Sequence, residues 1–370
     1  MNIEIDKEQL MADWKNLHSM PEIGFCEYKT SAYLRERLES IGFEVHSIAG
    51  TGLLATLRGE EPGKSVGLRA DIDALEFHNE DGTSVMLHAC GHDAHSAMVL
   101  NVGELAARTG LKKGSLHLLF QPAEESICGA SKVIADGGLP HLDALFGMHL
   151  RPRAEMPIGK ATAQLMHQAT RPLTIMFLGK AAHGARPHQG INALSAAAAT
   201  ITKVDAMKID TPLSWSVKAT NADCYGNSHN IIPECCTVMF DLRAQSNDLA
   251  EQILNAVLDY AKESAEKVGC RIETNVFRGY AAEYDPSLVA ICEEAITETL
   301  GSVEPPLKTL GSEDFHAYHK EAGIPVAYMG LGADLTPNLH SRDMTFDKNC
   351  MLTGVEIFYR CVSKLLEFKI

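Results

Sequence analysis

The sequence lacks long apolar runs, clustered positive charge and regular cysteine spacing, and each shortage excludes a class of protein. No apolar stretch reaches the ~18 residues that a membrane-spanning helix needs. The longest candidate, Leu194 to Ile201, is short and Ala-rich and reads as a buried helix. The opening MNIEIDKEQL has no basic stretch followed by an apolar one, so no secretory signal is expected there. Lys and Arg total 33 against 48 Asp and Glu, a formal net charge of −15. Nucleic acid, which needs clustered cations, is therefore not an expected partner, whereas a local arginine could still hold an anionic substrate. Ten cysteines are scattered, with Cys235 and Cys236 adjacent. That is unlike a secreted disulfide framework, so a reducing cytoplasm is the expected compartment, with no membrane association.

What is present is an ordinary globular composition, 45% hydrophobic and 22% charged, over 370 residues. That length exceeds one usual hydrophobic core and predicts two domains. Residues 27–41 have helical periodicity and stop at Gly42. Short apolar strands are expected at 52–57, 65–69, 115–120 and 144–149, with helices at 95–108 and 129–136 between them. Strands alternating with helices predict an α/β fold with a mainly parallel sheet, whose ligands gather beyond the strands' carboxyl ends.

From about Arg171 the pattern changes. Strands at 171–178, 213–220, 235–243 and 271–277, with helices at 191–207 and 249–268, give the order βαββαβ of a ferredoxin-like unit. Segments of the first kind resume at Pro286. The expected organisation is a discontinuous catalytic domain, residues 1–168 and 280–370, with an inserted domain at 169–279.

The densest chemistry is His88-Ala-Cys90-Gly91-His92-Asp93-Ala94-His95, which offers N, S and O donors within eight residues. A polar loop with a buried cysteine is the plainer alternative. Directly after a strand comes Phe120-Gln121-Pro122-Ala123-Glu124-Glu125. One acid of this pair can ligate a metal while the other serves as a base; alone, the pair reads equally well as a solvated helix start. His149 and His340 each end a strand-like run, where a lone histidine is more often held in a hydrogen-bond network. Cys90, His92, Glu125, His149 and His340 together are too many for one zinc with an open position, but suit two metals sharing a ligand.

LRADIDAL (68–75), HACGHDAH (88–95), FQPAEE (120–125), GMH (147–149), AHGARP (182–187), NIIP (230–233), GSEDF (311–315) and LHS (339–341) follow one another along nearly the whole chain. In this order they resemble the peptidase M20 clan, in particular its amidohydrolase branch of hippurate hydrolases, auxin-conjugate hydrolases and N-acyl amino acid deacylases. The resemblance implies a phosphorylase/hydrolase-like catalytic domain and an inserted lid and dimerisation domain, hence a homodimer or higher oligomer. It implies two divalent ions per subunit (Zn, Mn, Co or Ni), with Cys90 bridging, Glu125 and His340 on one, His92 and His149 on the other. Glu124 matches the general base and Asp71 an aspartate that orients a ligand. His183 matches a lid histidine that polarises the substrate carbonyl, and Asn230 and Arg243 match lid positions that contact substrate, though Arg243 could instead simply pair with an acid.

The implied reaction is metal-dependent hydrolysis of an N-acyl amino acid to a carboxylic acid and an amino acid. A dipeptidase or carboxypeptidase, a silent metal-binding protein, and a cysteine nucleophile at Cys90 paired with His92 are the alternatives. FDLRA around Arg243 and His229 within Gly226-Asn-Ser-His-Asn230 depart from the family pattern, which leaves the acyl and amino acid preferences open.

Overall fold

The computed structural model describes residues 3–225 and 228–369. The chain divides into two compact units, one of Met1–Met166, Glu283–Thr309 and Asp314–Ile370, the other of His167–Ala282 with Leu310–Glu313.

The first unit is built on an eight-stranded mixed sheet. Its four middle strands, in spatial order Leu111–Gln121, Glu61–Asp71, Ala144–Pro152 and Val326–Leu335, are parallel neighbours. Antiparallel strands flank them, with Glu44–Ile48 and Gly52–Arg58 on one side and Ala161–Thr162 on the other. Every residue of Ala144–Pro152 is buried, as expected of a parallel strand covered on both faces. The helix His92–Thr109 crosses between two of these strands and buries nearly its whole circumference, with Met98 and Val102 fully enclosed. Truncating Met98 to Ala would cost roughly 2–5 kcal/mol. Because the middle strands run parallel, Asp71, Gln121 and Pro152 come out at one edge of the sheet, and the loops that follow share it.

That helix begins three residues earlier than its periodicity predicts. Gly91 takes a left-handed conformation (φ 92°) that turns the chain into the helix, so His92 is its first residue. The helix Lys7–His18 was not expected, since only Leu10, Asp13 and Leu17 of it are buried and apolar periodicity is weak. The hairpin Leu75–His78/Ser84–Leu87 is largely exposed and stands outside the main sheet.

The second unit has the strand order Trp215–Tyr225, Cys235–Ala244, Leu173–Leu178, Arg271–Val276, antiparallel throughout. With helices Ala193–Asp205 and Asn247–Val268 it is a ferredoxin-like βαββαβ sheet. The long helix is fixed at both ends: the Ser246 side chain accepts from the Leu249 N–H, and Gly269 closes it in a left-handed conformation. Leu249, Ile253, Leu254 and Val257 make its buried stripe. Cys224 and Cys236 sit opposite each other in the strand register and are joined as a disulfide, a pairing that the scattered spacing did not suggest; the other eight cysteines are free. Among the described residues no helix is long and apolar enough to cross a membrane.

Candidate metal centre

The site residues of the first unit arise from loops at the carboxyl edge of the parallel strands and from the start of one helix. Gly91 is favoured by its positive φ, and a Cβ there would lie 3.3 Å from Leu150 Cδ1. The turn it makes sets Cys90 just before the helix and His92 at its first position, both almost wholly buried. Cys90 Sγ is 3.4 Å from Nε2 of His149. His149 donates from Nδ1 to the Leu150 carbonyl at 2.7 Å, which directs its Nε2 lone pair at the thiol.

His92 is oriented in the same manner. Its Nδ1 donates to Asp73 Oδ1 at 3.0 Å, leaving Nε2 buried without a hydrogen-bond partner. The other Asp73 oxygen accepts from the backbone N–H of Glu125 at 2.9 Å. One aspartate thus fixes a candidate ligand and the backbone of another. The sequence signal was present in LRADIDAL, where Asp71 and Asp73 alternate at a strand's end, but register decides which of them reaches His92. Asp71 accepts from His95 Nδ1 (2.8 Å) and from Arg69 (2.6 Å), and stands 3.7 Å from His92 Nε2. His95 in turn accepts from the Leu150 N–H, so Asp71 and His95 brace the strand that carries His149.

Glu124 and Glu125 lie between two non-glycine residues with left-handed backbone, Ala123 (φ 55°) and Ile127 (φ 52°). Such conformations are sparsely populated and gather at sites the surrounding structure over-determines. His92 Nε2 is 3.8 Å from Glu124 Oε2 and 3.8 Å from Glu125 Oε1. Glu125 Oε2 is 3.4 Å from His340 Nε2, and Glu125 Oε1 is buried without a hydrogen-bond partner. His340, also left-handed (φ 63°), donates its backbone N–H to Ala89 beside Cys90 at 2.7 Å.

Among the groups of donor atoms that result, Cys90–His92–His149 and Cys90–Glu125–His340 share Cys90, each with its ligand atoms within 4.8 Å of one another, and Glu124 stands with His92 and Glu125 in a further one. Electrostatics agree with a cation site. Burial, reinforced by Glu125, pushes the Cys90 thiol well above its usual range, and burial also raises the Glu125 carboxyl. Burial holds His149 well below the usual imidazole range, so it is neutral with a lone pair to give. On His92 burial opposes charge, but Asp71 and Cys90 outweigh it and raise the pKa. These directions mark a donor set that exchanges protons for cations, and the orphaned His92 and Glu125 atoms fit divalent metal in particular.

Other residues of the 88–95 segment play different parts: His95 bonds Asp71, and Asp93 accepts from Trp14 and pairs with His18 at 2.6 Å. In the second unit His183 and Asn230 are brought together. The short strand Ala182–His183 pairs with Ile231–Ile232, the Gly184 N–H donates to the Asn230 carbonyl, and both side chains are exposed. Arg243 donates to Asp241 at 3.0 Å and to the Leu310 carbonyl at 3.3 Å, so the acid pairing weighed from sequence is present. Gly226 and Asn227, in the segment with an unexpected His229, lie outside the described residues.

A parallel sheet whose carboxyl edge carries two soft-and-hard donor groups sharing a thiol defines a dinuclear metallohydrolase. Residues 67–364 match peptidase family M20/M25/M40, and the chain belongs to that family. It is 28% identical over 379 residues to an N-acetyl-L-cysteine deacetylase of Bacillus subtilis, covering 99% of this chain and 90% of the relative. It is 29% identical over 378 residues to an N-acetyldiaminopimelate deacetylase of Bacillus velezensis, covering 97% and 99%. Among solved structures it is similar to the YXEP protein of Bacillus subtilis, described as a dinuclear metal binding peptidase from the M20 family. That likeness has a TM-score of 0.80 at 26% identity, over 97% of this chain and 98% of the other. The chain is a metal-dependent amidohydrolase.

Proposed function

We propose that the protein hydrolyses the amide bond of N-acyl amino acids, N-acetyl ones foremost, releasing a carboxylic acid and a free amino acid. The observation that carries the reading is Glu124 beside the two donor groups, its carboxylate 3.8 Å from His92 Nε2. Relatives at 28–29% identity that are named deacetylases support the acyl class.

In this reading two ions would be held by Cys90 with His92 and His149 and by Cys90 with Glu125 and His340. Zn, Mn, Co or Ni suits these donors. When bound, the ions polarise the amide carbonyl and lower the pKa of water. Glu124 takes a proton from the attacking water as its oxygen bonds the carbonyl carbon, then delivers that proton to the nitrogen as the C–N bond breaks. A silent binding protein would need Glu125 but not Glu124. From the second unit, His183 polarises the carbonyl, and Asn230 and Arg243 hold the substrate's remaining polar groups. Dimerisation belongs to the same proposal; the strand Trp215–Tyr225 stands at the end of the second unit's sheet order, where an edge can pair.

Amine release from N-acetyl, N-benzoyl and longer N-acyl amino acids, with dipeptides beside them, tests the proposal. Chelated enzyme is assayed with and without Mn, Co, Ni or Zn. Metal-restored turnover greatest on an acylated amino acid is expected. Preference for dipeptides would replace the acyl reading with a peptidase one, and chelator-resistant turnover would favour Cys90 as a nucleophile.

A further inference from the structure

The turn that aims Glu124 and Glu125 is held by a buried carboxylate from a distant part of the chain. Ala123 carries a Cβ yet is left-handed, a conformation that persists only where something enforces it. Its backbone N–H donates to Glu27 Oε1 at 2.9 Å, and the other oxygen, Oε2, accepts from the Thr51 hydroxyl at 2.5 Å. Glu27 is 0% exposed and is one of the few buried acids away from the metal ligands. Such a group is expensive to bury unless its bonds matter to the fold or the site.

The segment around Glu27 touches the site's scaffold in two further places. Gly24 packs so closely that a Cβ there would meet Ala123 Cβ at 2.8 Å and Cα at 2.9 Å. The Glu22 carbonyl accepts from the Ala74 N–H at 2.7 Å, next to Asp73, which orients His92 and Glu125. The Glu22 carboxylate meanwhile accepts from the Lys29 and Thr30 N–H groups, tying the loop to the start of the helix Tyr28–Ser40. One loop therefore props both turns from which the acidic side chains emerge.

We infer that Glu27 is a positioning residue for the reaction: by holding the Ala123 N–H it keeps the left-handed turn that points Glu124 and Glu125 at their targets. The inference rests on the proposed metal-dependent hydrolysis for its kinetic readout but not for its metal readout. Removing the carboxylate leaves the Ala123 N–H buried without a partner and releases the turn. Gln can replace both bonds, since its amide oxygen accepts from Ala123 and its NH2 donates to the Thr51 oxygen.

The experiment compares wild type, Glu27→Ala, Glu27→Gln and Gly24→Ala for kcat, KM, melting midpoint and Co(II) affinity by chelator competition. Glu27→Ala should lower kcat about tenfold or more at saturating metal with KM changed less than about threefold. Its Co(II) affinity should fall about tenfold, because Glu125 shares the turn. Glu27→Gln should recover most of both losses. Gly24→Ala pushes the same turn with the carboxylate in place and should reproduce the loss of kcat and of Co(II) affinity, so it decides the matter should Glu27→Ala not fold. A fall in melting midpoint alone, with kcat and Co(II) affinity at wild-type values, would overturn the inference. If wild type itself cleaves no amide, the functional reading fails, and the Co(II) affinities still judge Glu27.

Discussion

The two halves of the donor cluster are built differently. In Cys90–His92–His149 all three residues are buried, and each histidine is locked through its other nitrogen, His92 by Asp73 and His149 by the Leu150 carbonyl. In Cys90–Glu125–His340 the His340 side chain is 54% exposed and is located through its backbone bond to Ala89. An enclosed, pre-oriented group favours tight retention of an ion, and an open one favours exchange and the approach of substrate. The inner half reads as scaffold and the outer as the working face.

The largest expected effect separates chemistry from binding. Glu124→Gln should lower turnover by about 10²–10⁴-fold, the usual worth of a general base, while metal analysis still finds both ions. Loss of an ion would make Glu124 a ligand and erase the division of labour between the two acids. Next, Asp73→Ala strips the support of His92 and Glu125 together, so metal affinity should fall by about 10–100-fold at both positions. His340→Ala should by contrast spare the inner group, and a metal titration should end at one ion instead of two. If His340→Ala loses both ions, the halves are not independent.

Protons probe the shared member. Burial raises Cys90, so at neutral pH without metal the thiol keeps its proton and must release it on binding. Affinity therefore rises with pH, by about tenfold per unit for each proton displaced. Competition titrations between pH 6 and 8 measure the slope. A flat profile would mean that Cys90 stays protonated and does not ligate.

Much of this was legible in the sequence, for a physical reason: the donors cluster where chain connectivity itself puts them together. Cys90 and His92 are two residues apart, Glu124 and Glu125 adjacent, and the parallel strands announce themselves as apolar runs. What was not legible depends on register or on backbone angles. Whether Asp71 or Asp73 reaches His92 is set by the end of one strand against a helix turn. The left-handed Ala123 has no glycine to betray it, and Glu27 meets it across 96 residues. The disulfide of Cys224 and Cys236 follows from strand pairing, which spacing does not reveal.

The smallest expected effect concerns Arg243. Its guanidinium is 39% exposed and already satisfied, by Asp241 on the same strand and by the Leu310 carbonyl. A substrate carboxylate would have to exchange with these partners, and exposed ion pairs are worth only about 0–1 kcal/mol. Arg243→Ala should therefore raise KM by roughly fivefold at most, the factor about 1 kcal/mol allows, with kcat little altered. Asp241→Ala frees the same guanidinium and should lower KM. A rise in KM of about 100-fold in Arg243→Ala would instead mean a bidentate grip on the substrate, stronger than the pairing with Asp241. Opposite signs for the two variants would show that Asp241 competes with substrate; equal signs would make the pair a structural unit of the strand.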